Sequence, residues 1–263
     1  MSDRFSLDNK VALITGGAGL LGMQHAICLL KAGATVYLAD NNIIKAEKVA
    51  KTLGSKCIPI FIDVSKEISV KKVSKKIITV EKKIDILINN AANNPAVTTK
   101  KNFFSETSLE KFKLSMWKKD IDVGLTGSFL ASKYFGTLIA KNKKGGSIIN
   151  ISSDLGLIAP DQRIYSNNNI KPITYSVVKT GILGLNRYLS TYWPKKVRSN
   201  AVCFGGVLNK QNKSFLKKVN RLIPMGRMAF PGEYNGVISF LCSDDSSYLN
   251  GAVIPVDGGR TAW

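Results

Sequence analysis

Histidine is nearly absent from this chain: His25 stands alone in 263 residues. Hydrolysis by a Ser-His-Asp triad and histidine-rich metal sites therefore find no material here. His25 falls in the helix after a glycine run and reads as a helix-face side chain. Cys28, Cys57, Cys203 and Cys242 are scattered without a C-x-x-C spacing, which excludes a zinc framework and a disulfide scaffold. They read as small core residues in a reducing compartment, and no metal site is expected. No uninterrupted apolar run reaches the ~18 residues of a membrane span. The start, Met1-Ser2-Asp3-Arg4, leads into a strand-like segment with no room for a cleavable apolar region, so the expected location is cytoplasmic. Acidic side chains are also scarce, 18 against 38 Lys and Arg, for a net charge of +20. Such a charge raises nucleic acid as a partner. The basic residues, however, are spread along the whole chain, lysine far outweighs arginine, and Asn and Ile are abundant too, a pattern that AT-rich codons produce. No nucleic acid and no membrane are expected as partners. The dense segments Lys71 to Lys83 and Lys210 to Arg227 read as helix faces and a lid.

Strand-like and helix-like patterns alternate from end to end. That alternation predicts an α/β fold of Rossmann type, a doubly wound parallel sheet with helices on both faces. The strands expected are Val11-Thr15, Thr35-Ala39, Cys57-Ile62, Ile84-Asn89, Ser147-Ser152, Arg198-Cys203 and Ala252-Val256, making a seven-stranded sheet. Helices are expected at Leu21 to Ala32, Ile43 to Leu53, Ile68 to Lys82, Leu114 to Asn142, Thr174 to Tyr192 and Glu233 to Cys242. Residues 1–263 then form a single dinucleotide-binding and catalytic domain without a linker. Irregular segments are expected at Asn93 to Thr107, Asp154 to Thr174 and Leu208 to Pro231, where loops at strand ends bind ligands.

Three motifs carry chemistry. Thr15-Gly16-Gly17-Ala18-Gly19-Leu20-Leu21-Gly22 joins the first strand to the first helix, where glycines let the backbone approach a pyrophosphate at a helix N-terminus. Asp40 ends the second strand, where a carboxylate accepts from both ribose hydroxyls of an adenosine and repels a 2′-phosphate; this points to NAD over NADP. Lys45, one turn into the next helix, works against that preference. Tyr175-Ser176-Val177-Val178-Lys179 sets a phenol and an ammonium one turn apart on one helix face. A fixed cation favours the phenolate, so the pair provides acid/base chemistry without histidine.

Taken with Asp63-Val64, Asn89-Asn90-Ala91-Ala92, Ile149-Asn150-Ile151-Ser152-Ser153 and Val256-Asp257-Gly258-Gly259, the chain resembles the short-chain dehydrogenase/reductases over essentially its whole length. The resemblance implies hydride transfer between C4 of a nicotinamide and a carbinol or carbonyl carbon. It makes Tyr175 the general acid/base, Lys179 the residue that tunes it and holds the nicotinamide ribose, and Ser153, with Ser152 as the alternative, the hydroxyl that polarises the substrate oxygen. The cofactor-binding set it implies is Gly16, Gly19, Leu21, Gly22, Asp40, Asp63, Val64, Asn90, Ala91, Tyr175, Lys179 and Val207. It also implies a homodimer or homotetramer built through the two long helices and the last strand.

Four departures mark the chain. Leu20 occupies the usual second glycine. Gly124 stands where the family carries a fourth catalytic residue, an Asn, leaving only a backbone carbonyl for a water on Lys179. Phe204-Gly205-Gly206-Val207 replaces a P-G-x-I/V segment, with Asn209 for the usual Thr, so that Phe204 either stacks on the nicotinamide or fills the volume of proline. Tyr175 follows Ser153 by 22 residues, a longer gap than the family's common one, so the segment Asp161 to Lys171 is an insertion beside the active site. Asn93, Asn94, Arg163, Lys171, Lys210, Lys213 and Arg227 crowd the expected substrate side and favour a polar, sugar-like small molecule, phosphorylated or nucleotide-linked. Together with the Gly259-Arg260-Thr261-Ala262-Trp263 ending, these features resemble oxidoreductases of bacterial surface-glycan and nonulosonate-sugar pathways. A catalytically silent NAD-binding sensor or partner subunit is the alternative that Gly124 and Phe204 raise.

Overall fold

The computed structural model describes residues 5–93, 107–165 and 169–263. Its centre is a seven-stranded, all-parallel sheet of β1 (Val11–Thr15), β2 (Thr35–Asp40), β3 (Cys57–Phe61), β4 (Ile86–Asn89), β5 (Gly146–Ser153), β6 (Val197–Phe204) and β7 (Val253–Val256). The order across the sheet is β3-β2-β1-β4-β5-β6-β7. β1 pairs with β2 on one side and β4 on the other, which places the topological switch, and a crevice at the carboxyl ends of the strands, between β1 and β4.

Strand side chains alternate between faces, and both faces are covered. Ala12 and Ile14 of β1 point into a core with Ala26 and Leu29 of α1 (Leu20–Lys31), Ala46 and Ala50 of α2 (Ile43–Leu53). Val11 and Leu13 point the opposite way, toward Val70, Val73 and Ile77 of α3 (Glu67–Glu81) and Leu130, Phe135 and Ile139 of the long helix α4 (114–141). α4 is one continuous rod running from Leu114–Ile121 to Thr137–Lys141, widened into π-helical turns at Asp122–Thr126 and Ser132–Gly136. It packs beside α5 (Ile173–Tyr192), and Thr174 at the start of α5 donates its hydroxyl to Asp120 at 2.6 Å.

The expected elements are present, with ends shifted by a residue or two. One element was not anticipated. Inside the stretch 208–231, α6 (Lys213–Asn220) forms, with the Asn212 side chain accepting from Phe215 N–H at its start. Its Phe215, Leu216 and Val219 pack against Ile164, Ile223 and Met228, and so pin the inserted segment to the basic stretch. α7 (Asn235–Cys242) follows a short 3₁₀ turn at Pro231–Tyr234. The irregular segment expected at 93–107 lies outside the described residues except at its two ends, and so does Asn94.

Inside the sheet, a chain of amides links three strands. Asn89 Nδ2 donates to Asn150 Oδ1 at 2.8 Å and to Ser132 of α4, while Asn150 Nδ2 donates to Ser199 at 3.0 Å and to Asn186 of α5. Buried amides with partners rigidify a core, and this chain fixes β4 and β5 where they enter the site.

Candidate active site

A cleft of about 610 Å³ opens at the carboxyl ends of the strands. It begins at Asp40, Asn41, Asn42 and Lys45, passes the glycine turn and the β3 and β4 ends, and closes at Tyr175, Lys179 and Val207. Gly16, Gly19, Leu21, Gly22, Asp63, Val64, Asn90 and Ala91 line it between those ends. Ser152 lines the cleft as well, and Ser153 stands just beyond, beside Tyr175.

The glycine turn is held from two sides. Thr15 Oγ1 accepts from the backbone N–H groups of Asn90 and Ala91 at 3.0 and 3.1 Å, and Asn90 Nδ2 donates to the carbonyls of Thr15 and Gly16. Gly16 has φ +63°, and a Cβ there would meet Ala91 Cα at 2.9 Å. A Cβ on Gly22 would lie 2.4 Å from the Gly16 carbonyl. Leu20 at the usual glycine position costs nothing comparable, since it opens α1 with an exposed side chain. Thr15 and Asn90 thus lock the turn that a pyrophosphate would meet, a role for Thr15 that the motif reading had not given it.

Asp40 Oδ2 accepts from Ala18 N–H at 3.0 Å and Oδ1 from Asn42 N–H at 2.9 Å. The helix cap of α2 belongs to Asn42, whose Oδ1 accepts from Lys45 N–H, so Asp40 is free of that duty and faces the cleft. Asp63 Oδ1 is held by the Ser65 N–H and hydroxyl, which orients the carboxylate at the rim. The cleft volume suits a dinucleotide-sized ligand. Its donor set, backbone at a helix N-terminus and a carboxylate at the far end of β2, suits pyrophosphate and ribose.

At the opposite end, Lys179 is buried and its Nζ donates to the Ile151 carbonyl at 2.8 Å. Burial pushes this ammonium down to about 8. Tyr175 is pushed up to about 12 by burial, against which a hydrogen bond from Ser153 works and to which the nearby Asp154 carboxylate adds. Ser152 donates to the Lys179 carbonyl at 2.7 Å, so its hydroxyl joins β5 to α5. Ser153 donates to Asp154 Oδ1 at 2.7 Å. Of the two serines, Ser153 is the one that faces the phenol. Asp154 was not anticipated at this position; its place directly after Ser153 is the only signal the chain carries for it.

The departures resolve into packing. The Gly124 carbonyl lies in the first π turn of α4 and accepts from the Ser128 hydroxyl at 2.7 Å, while the Lys179 ammonium is anchored on Ile151. These bonds leave a second lone pair on the Gly124 carbonyl and two further protons on the Lys179 ammonium. Phe204 is buried with its ring stacked on Tyr234 at 4.0 Å, so it fills core volume at the wall of the cleft. The Val207 carbonyl accepts from Gln211 Nε2 at 2.8 Å. Two residues expected on the substrate side are spent elsewhere: Arg163 is paired with Asp161 at 2.9 Å and Arg227 with Glu233 at 2.6 Å. Lys171 instead lies at Tyr175, its Nζ 3.8 Å from the ring centroid. Among the described residues no cluster of metal-ligating side chains occurs, and no helix is long and apolar enough to cross a membrane.

A parallel sheet with its crevice at the β1/β4 switch, a glycine turn and a Tyr-Lys pair define a nicotinamide-dependent oxidoreductase of Rossmann type. A family model described as enoyl-(acyl carrier protein) reductase matches residues 18–261. The chain is 33% identical to meso-2,3-butanediol dehydrogenase of Serratia marcescens, covering 97% of this chain and 96% of that one. It is 31% identical to 3-oxoacyl-(acyl-carrier-protein) reductase FabG of Thermotoga maritima, covering 96% and 98%. A gluconate 5-dehydrogenase of Burkholderia cenocepacia, solved with NADP and tartrate, superposes with a TM-score of 0.87 at 25% identity, covering 99% and 98%. The chain belongs to the short-chain dehydrogenase/reductase family, whose members are oxidoreductases of alcohols and carbonyls that use a nicotinamide cofactor.

Proposed function

We propose that this chain interconverts a secondary alcohol and a carbonyl on a small polar substrate, with NAD(H) as the preferred cofactor. The observation that carries this reading is the convergence of Tyr175, Lys179 and Ser153 at the closed end of a cleft whose other end is Asp40. The bound cofactor supplies C4 of its nicotinamide as hydride acceptor or donor. In the oxidation direction the phenolate of Tyr175 takes the hydroxyl proton and becomes a phenol, the C–O single bond becomes a carbonyl, and the carbinol hydrogen leaves with its electron pair. Ser153 donates to the substrate oxygen and Lys179 favours the phenolate.

The preference for NAD rests on the Asp40 carboxylate, which faces the cleft and meets a 2′-phosphate with like charge; Lys45 in the same wall is the counterweight. For the substrate, the charged side chains of Asp154 and Lys171 beside Tyr175 support a polar, hydroxylated molecule. The relatives that oxidise a diol and a sugar acid point the same way, and a phosphorylated or nucleotide-linked sugar of the surface-glycan type is the specific form proposed. Exposed Phe129 on α4 and the stacked pair Tyr188 and Tyr192 on α5 support assembly of a homodimer or homotetramer through these helices.

The test is Tyr175→Phe. Turnover of meso-2,3-butanediol, gluconate or a phosphorylated polyol should fall on the order of a hundredfold or more, with NADH binding, read by its fluorescence, retained. Undiminished turnover overturns the role. A second reading, a silent dinucleotide-binding subunit, is favoured by the engagement of the Gly124 carbonyl with Ser128; tight NADH binding without turnover of any of these substrates would select it.

A further inference from the structure

We propose that Lys171, delivered by the inserted loop, is a positioning residue for the acid/base: its ammonium lies on the Tyr175 ring, favours the phenolate, and sets the pH at which proton exchange with the alcohol occurs. The inference rests on the reading of Tyr175 as acid/base, and adds a residue that neither the Y-x-x-x-K spacing nor the serine strand contains.

The geometry is direct. Lys171 Nζ stands 3.8 Å from the Tyr175 ring centroid, closer than Lys179 Nζ at 5.8 Å. A cation within about 6 Å of an aromatic centroid is attracted to the ring, and the attraction grows when the phenol gives up its proton and the ring system becomes an anion. The loop is built to hold the ammonium there. The Lys171 backbone N–H donates to Gln162 Oε1 at 2.8 Å, which ties the two ends of the insertion together. Pro172 follows and caps α5, with Tyr175 N–H donating to its carbonyl. The outer part of the loop is seated by Ile164 against Phe215 and Val219 and by the Tyr165 ring 5.7 Å from that of Phe215.

The charges facing Tyr175 come from every element around it. Lys179 lies on its own helix, Asp154 at the end of β5, Lys171 and Tyr165 on the loop, and Tyr234 in the turn before α7. Asp154 works against the phenolate, so a single lysine at 5.8 Å would face a nearby carboxylate and a desolvated ring. A second ammonium changes that balance. Burial brings Lys171 down to about 8, with Asp154 working to raise it and Lys179 to lower it further. A phenolate formed against it would in turn hold the ammonium charged, so the loss of Lys171 is felt wherever the phenolate forms. The insertion thereby acquires a chemical purpose as well as a length.

The experiment compares Lys171→Met, Lys171→Arg and the wild type in the full chain. With meso-2,3-butanediol and gluconate as probes, the pH of half-maximal kcat/KM for oxidation should rise by about one unit in Lys171→Met and return toward wild type in Lys171→Arg, with NADH affinity unchanged. Independently of any substrate, the phenolate fraction of Tyr175 at alkaline pH, read from its ¹³Cζ resonance and assigned by loss in Tyr175→Phe, should fall about tenfold in Lys171→Met. A uniform loss of activity with an unmoved pH profile, or an unmoved phenolate fraction, overturns the proposal. Full activity of Tyr175→Phe would defeat the acid/base reading itself, and the resonance would still judge the effect of Lys171 on the phenol.

Discussion

Gly124 of α4 lies directly against Val178 of α5: a Cβ built on Gly124 would stand 2.5 Å from Val178 Cγ1. The two helices meet at the π turn Asp122–Thr126, and Val178 fills the space that a side chain at position 124 would need. Gly124→Ala and Gly124→Asn should each destabilise the fold by about 1–3 kcal/mol, seen as a lower Tm. Adding Val178→Ala should restore most of the loss in the Ala case. Equal destabilisation with and without Val178→Ala would show that the glycine serves the π turn alone.

Ser152 and Ser153 should separate by assay. Ser152 bonds the Lys179 carbonyl at 2.7 Å, so Ser152→Ala removes a buried link between β5 and α5 and should cost about 1 kcal/mol of stability. Ser153→Ala removes a bond of the same length, to Asp154, and should cost a similar amount of stability, but it should also lower kcat by about tenfold or more, which Ser152→Ala should not. Thermal melts and steady-state kinetics on both variants check this, and a fall in kcat confined to Ser152→Ala would hand the substrate role to Ser152.

The fold was legible because the strands are short runs that alternate with helical patterns, the central β1, β4, β5 and β6 being buried almost throughout, whereas the strand order and the switch between β1 and β4 emerge only in the pairing. The glycine turn that lines the cleft was legible for a related reason: Gly16 and Gly22 admit no Cβ, so their identity is written into the chain. What stayed hidden depends on tertiary neighbours. No spacing rule shows that the Gly124 carbonyl bonds Ser128, that the Phe204 ring stacks on Tyr234, or that Arg163 and Arg227 pair with Asp161 and Glu233. α6 was read as irregular because three of its eight residues are lysines within a longer basic stretch, and its apolar face is defined only by the inserted loop it holds.

Asp40 carries two backbone bonds as well as its charge. Asp40→Asn keeps an acceptor for Ala18 or Asn42 N–H and removes the charge that repels a 2′-phosphate. KM for NADP should fall relative to KM for NAD by about tenfold, with Lys45 in the cleft wall aiding the change. Steady-state kinetics with both cofactors check it; an unchanged ratio would remove Asp40 as the discriminator.

His25 offers the clearest stability signature, because it is the only histidine and therefore the only side chain whose ordinary titration lies near pH 6.5. It is fully buried in α1, with its ring 5.8 Å from that of Phe204, and among the described residues neither ring nitrogen meets a hydrogen-bond partner. Burial pushes it down from 6.5 to about 3. Between those values the unfolded chain binds a proton that the folded chain refuses, so stability rises with pH through this window and is lost as pH falls below 6.5. In His25→Leu that contribution is gone. The variant should match or exceed the wild type at pH 7, since an unpaired buried polar group costs about 1–3 kcal/mol. Its advantage should then widen by about 1.4 kcal/mol for each pH unit below the unfolded titration. Urea melts of both proteins from pH 7 to pH 4 measure the difference, in which the carboxylates cancel; parallel curves would mean that His25 is protonated inside the fold.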